Sequence, residues 1–234
     1  MDLSSSAIFP NDFAALLFDM DGTLLNSMAV VERVWGAWAL RNGIDPARLM
    51  KTVHGVRAAD VIRKLGLPVD PERGARDLAA VEIADVEGVV EIPGAIAFLG
   101  SLPPERWAIV TSAPLELATR RLAAAGIPVP RHMVTGEDVT IGKPDPQGYR
   151  LAAERLGVRA EDCLVFEDAP AGILAGRAAG AEIVVITGAH AAAGETPHVS
   201  FAHYAEIEVR LGGSGRLSLH RRPDEPRIGE AKRV

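Results

Sequence analysis

The sequence predicts an α/β fold: a mainly parallel β-sheet covered on both faces by helices, interrupted by an all-helical insertion. Three observations lead there. Short apolar runs alternate with helix-patterned segments over most of the chain, which is the rhythm of parallel strands joined by crossover helices. One long stretch, from residue 27 to about 91, contains no convincing strand. Polar and acidic residues gather just after several apolar runs, where such sheets bind their ligands, beyond the carboxyl ends of the strands.

The elements follow in order. Leu16 to Phe18 is the first expected strand, Trp107 to Thr111 the second and Met133-Val134 a brief third. Cys163 to Phe166 is the fourth and Ile183 to Thr187 the fifth. Helices are expected at 114–125, 145–156 and 170–179, with Gly126 and Gly157 where C-caps belong. Inside the insertion, Val31, Val34, Trp35 and Trp38 have the i, i+3, i+4, i+7 spacing of an amphipathic helix that Gly43 can end. Further helices fit 58–65, stopped by Gly66 and Pro68, and 72–86. An insertion directly after a ligand-binding strand end suits a lid that excludes water; a subdomain that only adds core fits the same pattern. From Gly212 onward large apolar residues run out after Leu219, and Arg, Pro, Asp and Glu mix. That tail is expected to be loosely held, with Arg221-Arg222 on a solvated surface.

Composition bounds the function. The chain has 234 residues, 48% hydrophobic and 24% charged, as ordinary soluble globular proteins have, and can bury a sizeable core. A net charge of −6 and a pI near 5.6 argue against a dedicated nucleic-acid binder. The single cysteine, Cys163, rules out an internal disulfide and sits in an apolar run, so a buried, inert thiol is expected. No apolar run approaches the ~18 residues that a membrane span needs. No basic region followed by an apolar one opens the chain, so no signal peptide is expected and the cytoplasm is the expected compartment. His132, His190, His198, His203 and His220 are dispersed and form no zinc pattern.

The first strand runs into Asp19-Met20-Asp21-Gly22-Thr23. Side chains alternate along a strand, so Asp19 and Asp21 leave its end on the same side, and Gly22 can turn the backbone there. Two close carboxylates repel each other unless a cation lies between them; oxygen donors of this kind suit Mg²⁺, which bridges carboxylates to phosphate. One carboxylate could also attack phosphorus. Asp-x-Asp-Gly alone equally fits a solvated turn. Thr111 and Ser112 follow the second strand; a hydroxyl and a free N–H at a helix start suit an anion, or simply a helix cap. Lys143, between Gly142 and Pro144, could neutralise both a phosphate and a carboxylate, or be a surface charge. Glu167 and Asp168 end the fourth strand, where unpartnered charge is rare, and Asp168 would supply a third carboxylate for the cation.

Taken in order, Asp-x-Asp-Gly-Thr, Thr-Ser, Lys-Pro and Glu-Asp, each after an apolar strand, resemble the haloacid dehalogenase superfamily over about residues 14 to 190. The insertion is similar to the helical cap of the subgroup that holds phosphoglycolate phosphatase, β-phosphoglucomutase and small sugar or polyol phosphatases. Phe166-Glu167-Asp168-Ala169-Pro170-Ala171-Gly172-Ile173, Ala178-Ala179-Gly180 and Val53-His54-Gly55 look most like the glycerol-3-phosphatase and 2-deoxyglucose-6-phosphatase branch. The resemblance implies a Rossmann-like catalytic core over 1–26 and 92–211 with a cap over 27–91; the composition adds the expected flexible tail over 212–234. It implies Asp19 as nucleophile and Asp21 as general acid and base. Asp19, the backbone carbonyl of Asp21, and Asp168 would hold Mg²⁺, with Glu167 behind them. Thr111, Ser112 and Lys143 would bind the phosphoryl group, Lys143 balancing charge. The substrate would be a small phosphorylated sugar or polyol, and the protein a monomer with no nucleic-acid or membrane partner.

In the cap, His54 and Arg57 are the candidates to face substrate; a helix-start and solvent-facing role fits both as well. Two positions depart from the family pattern. Asn26 stands where many relatives have Asp. Val31 stands where the mutase branch carries His, which favours hydrolysis over sugar-phosphate mutation. A dehalogenase would leave Asp21 and Asp168 without purpose, and a non-catalytic binding relative would not need every core acid and Lys143.

Overall fold

The computed structural model describes residues 7–189 and 196–222. In chain order its elements are β1 (Ala15–Phe18), β2 (Leu25–Asn26), α1 (Met28–Arg41), α2 (Pro46–Val53), α3 (Ala58–Leu65), α4 (Pro71–Ala84) and β3 (Val90–Glu91). Then come α5 (Ala95–Gly100), β4 (Trp107–Val110), α6 (Leu115–Ala124), β5 (Met133–Val134), α7 (Gln147–Arg155), β6 (Cys163–Glu167) and α8 (Pro170–Ala179). The chain closes with β7 (Glu182–Ile186), β8 (Val199–Phe201), β9 (Ile207–Leu211) and β10 (Leu217–Arg221).

Six strands form one parallel sheet in the order β5-β4-β1-β6-β7-β8. The strands expected from sequence are present with ends shifted by at most one residue. Side-chain alternation divides their apolar residues between two cores. Leu16, Phe18, Ile109 and Phe166 face one side; Ala15, Leu17, Val110 and Val165 face the other, under α7 and α8. The first side is filled by aromatic packing, with Phe18 stacked on Phe166 at 4.7 Å between centroids and Phe98 edge-on to both.

The chain leaves this sheet after β1 and returns through β3. β2 and β3 pair antiparallel, Leu25 opposite Glu91 and Asn26 opposite Val90, making a two-stranded stem. α1 to α4 lie between these strands. The Asn26 side chain accepts the Met28 N–H, a local turn that leads into α1. α2 is not expected from hydrophobic period alone, yet Asp45 accepts from Ala47 N and Pro46 fills the first turn. Val34, Trp35, Trp38, Leu49, Ile62 and Leu78 of the insertion join the apolar cluster that holds the first side of the sheet. The cap is therefore docked on the core.

The tail differs from expectation. Residues 212–222 turn and form β10, which pairs antiparallel with β9. Leu217 and Leu219 are each 1% exposed, and Phe13 exchanges backbone hydrogen bonds with Leu217. Two apolar residues two apart suffice for a strand when an N-terminal segment covers them. Arg221 lies over the Phe201 ring and Arg222 donates to Ile207 O, so the pair is tied to the fold. His190 and residues 223–234, part of the expected flexible tail, lie outside the described residues. Among the described residues no helix is long and apolar enough to cross a membrane.

Candidate active site

Four segments meet at the carboxyl ends of β1, β4 and β6 and at the loop before α7. Asp19 follows β1, is buried, and accepts Lys143 Nζ on Oδ1 at 2.5 Å. Lys143 also donates to Glu167 Oε1 at 2.7 Å and Val110 O at 3.1 Å, so its three donors are satisfied inside the protein. Burial opposes the charge on Lys143, but Asp19 and Glu167 more than offset it and hold the ammonium in place well above its ordinary range.

Glu167 is fully buried and fully engaged. Oε1 also takes the Tyr149 hydroxyl, and Oε2 accepts the backbone N–H groups of Asp168 and Ala169. Gly172 at the start of α8 makes room, since a Cβ there would overlap the Glu167 carboxyl. Glu167 thus orients its neighbours. Asp168 accepts Thr23 Oγ1 at 3.0 Å. Gly22, at φ +88°, turns the chain beneath it, and any Cβ at that position would overlap the Asp168 carboxyl.

One oxygen each from Asp19, Glu167 and Asp168 lies within 4.8 Å of the others. Asp19 Oδ2 is buried and has no hydrogen-bond partner. Burial pushes the Asp19 carboxyl well above the usual range; Lys143 opposes this, while Glu167 and Asp168 reinforce it. A cation among these oxygens would satisfy the orphaned atom and offset the repulsion. Hard carboxylate donors suit a divalent metal. With Glu167 saturated by four donors, Asp19 and Asp168 are the carboxylates placed to hold it.

Thr111 and Ser112 continue from β4. Thr111 is buried and its Oγ1 accepts the Ala113 N–H, while Ser112 Oγ donates to Gly55 O in the insertion at 2.9 Å. Both line a cavity of about 380 Å³ between sheet and insertion, together with Asp19, Asp21, Val31, Trp35, His54 and Arg57. Arg57 spans the two parts. Its guanidinium donates to Asp60 at 2.7 Å, to Val139 O at 2.8 Å and to Thr140 O at 3.0 Å. A Cβ on Gly142 would lie 2.6 Å from Arg57 Nε, so that glycine admits the side chain. His54 lies at the cavity wall, at the end of α2.

Sequence reasoning missed Arg121 and Glu82. Asp21 Oδ1 accepts Ser27 Oγ at 2.6 Å and Arg121 Nη1 at 2.9 Å, and Arg121 Nη2 reaches Glu82 Oε1 at 2.8 Å. Both sat in plain view as charges on apolar stripes: Arg121 with Leu117, Ala118 and Leu122 on α6, and Glu82 in step with Gly74 and Leu78 on α4. Cys163 is buried, and burial pushes its thiol up to about 12, so it carries no thiolate near neutrality.

Comparison with known proteins agrees with this geometry. Residues 13–180 match the family model described as haloacid dehalogenase-like hydrolase. The chain is 36% identical to hexitol phosphatase A of Escherichia coli (strain K12) over 217 residues, 89% of this chain and 94% of that protein. It is 35% identical to 2-deoxyglucose-6-phosphate phosphatase 1 of Saccharomyces cerevisiae, over 74% of this chain and 80% of that one. Among solved structures, a hydrolase from Pseudomonas syringae superposes with a TM-score of 0.71 at 26% identity, over 80% of this chain and 93% of that one. Strand order, strand-end carboxylates and family match together place the chain among the haloacid dehalogenase-like hydrolases, and it is an enzyme of that family.

Proposed function

We propose that the protein hydrolyses a small sugar or polyol phosphate monoester with Mg²⁺ bound, through a phospho-aspartate at Asp19. The observation that carries this reading is the Asp19 carboxyl. One oxygen is held by Lys143, the other is buried without a partner, and the group borders a cavity lined on its far side by the helical insertion. The cavity volume is within the ~300–1,000 Å³ of small-molecule sites. The similarity to hexitol and deoxyglucose phosphate phosphatases supports the substrate class.

Asp19 and Asp168, with the backbone carbonyl of Asp21, would hold the metal, which when bound neutralises phosphate charge and keeps Asp19 ionised. Thr111 and Ser112 bind phosphoryl oxygens beside Lys143. An oxygen of Asp19 forms a bond to phosphorus as the ester P–O bond breaks. The electron pair leaves on the ester oxygen, which takes a proton from Asp21. Water then attacks phosphorus, Asp21 accepts its proton, and the Asp19 carboxylate leaves inorganic phosphate. Positioning and charge neutralisation supply most of the rate in such transfers. Val31 offers the cavity an apolar wall where a mutase would need an acid–base group.

The test is phosphate release from hexitol, deoxyhexose, glycerol and glycolate phosphates, with Mg²⁺ and with EDTA, on the parent and on Asp19→Asn. Release from a sugar or polyol phosphate that needs the metal and Asp19 is the expected result. Full turnover by folded Asp19→Asn, or silence of the parent across the panel, overturns the reading.

A further inference from the structure

We propose that Arg121 is a positioning residue for proton transfer: with Glu82 it forms a buried strut that holds Asp21 and ties it to the helical insertion. The inference rests on the reading of Asp21 as general acid and base.

The geometry is specific. Arg121 enters from α6 of the core, Glu82 from α4 of the insertion, and Asp21 from the loop after β1. Arg121 and Glu82 side chains are 5% and 7% exposed, Asp21 26%. Glu82 is itself buried on the insertion side and takes the Arg121 guanidinium at 2.8 Å. The guanidinium fork lets one side chain bond two carboxylates in fixed directions, which an ammonium cannot do. Ser27, at the start of the insertion, completes the grip on the same oxygen, Asp21 Oδ1. Oδ2 is then the oxygen left to give and take the proton, and its direction is set by the other one.

The strut is costly, which makes a purely structural role a poor explanation. Burial disfavours charge on both partners, and Arg121 Nε is buried with no hydrogen-bond partner. Apolar residues of similar volume often replace a buried ion pair with no loss of stability. What they cannot replace is the fork itself: Arg121 reaches Asp21 within the core, and its other arm is fixed by Glu82 only while α4 is docked. In the docked state the acid is aimed; with the insertion lifted, Arg121 loses Glu82 and Asp21 loses its fixed orientation. Proton transfer is thereby confined to the closed cavity, where water is excluded.

Leaving-group dependence tests this. Phenol, near pKa 10 like tyrosine, needs a proton on departure far more than p-nitrophenol does. The two esters have rings of similar size, so the insertion treats them nearly alike. kcat/KM is measured for phenyl phosphate and p-nitrophenyl phosphate on the parent and on the double variant Glu82→Met/Arg121→Met, which removes both charges together. The expected result is a folded protein whose phenyl to p-nitrophenyl ratio falls tenfold or more. An equal loss on both esters, or an unchanged ratio, overturns the strut. If the double variant does not fold, Arg121→Lys carries the same test, since it keeps the charge and loses the fork. Asp21→Ala is the reference: a parental ratio there would mean that Asp21 is not the acid, which defeats the mechanism proposed above, and the strut with it.

Discussion

At the residue scale the site is built by glycines as much as by acids. Gly22 and Gly172 each leave the space that a carboxyl of the cluster occupies, Asp168 in one case and Glu167 in the other. Neither requirement follows from the residue's own neighbours in sequence; both come from a strand end meeting a turn or helix start. Gly172→Ala would force the Glu167 carboxyl to move, and with it the bonds to Lys143 and Tyr149. The expected cost is about 1–3 kcal/mol, the usual range for overpacking, with activity falling further than stability. Thermal unfolding alongside phosphate release checks this; parental activity in the Gly172→Ala variant would show that Glu167 does not need its place. The acids themselves were legible. Asp19, Asp21, Glu167 and Asp168 each come at the end of an apolar run, where charge stands out in any sequence, while Lys143 is marked by its place between Gly142 and Pro144 before a helix.

At the element scale the β9–β10 hairpin is the clearest departure from sequence expectation. Its apolar content is low, and Leu217 and Leu219 become core only because Phe13 and the segment around it lie across them. Truncation after Leu211 should destabilise the protein by about 3–6 kcal/mol, from two buried leucines at ~1.5–3 kcal/mol each. At this size that lowers Tm by roughly 6–24 °C. A truncated chain with the parental Tm would show the hairpin to be an ornament. α2 was readable in principle: Asp45-Pro46 is a helix-start signal, although its eight residues are too few for the hydrophobic period to stand out.

At the scale of the whole molecule, two parts of the chain close on one cavity. The β2–β3 stem carries the insertion, and Ser112, Arg57 and Arg121 cross from one part to the other. Arg57 lines the cavity, but its hydrogen bonds run to Asp60 and to core carbonyls, so it is placed to hold the insertion down. Arg57→Ala should therefore lower kcat/KM for sugar phosphates and for p-nitrophenyl phosphate alike, by about tenfold or more, since a hydrogen bond from a charged group contributes ~1.5–3 kcal/mol and ~1.4 kcal/mol is tenfold in rate. A loss confined to sugar phosphates would instead give Arg57 a direct contact with the substrate. With equal losses on both esters, His54, beside it on the cavity wall, becomes the better candidate for that contact.

The sequence by itself determined five of the six strands of the sheet, the helical insertion, the strand-end acids and Lys143, but neither β8 nor the strand order. These depend on local pattern: an apolar run of strand length, a helix period, a glycine or proline at a boundary. Only the tertiary structure decided that Arg121 and Glu82 belong to the site, that Arg57 reaches the core and that Leu217 and Leu219 are buried. Each of those facts joins residues many positions apart, 39 in the case of Glu82 and Arg121. A charge on an apolar stripe announces that it needs a partner; which partner it finds is settled only when the two helices pack.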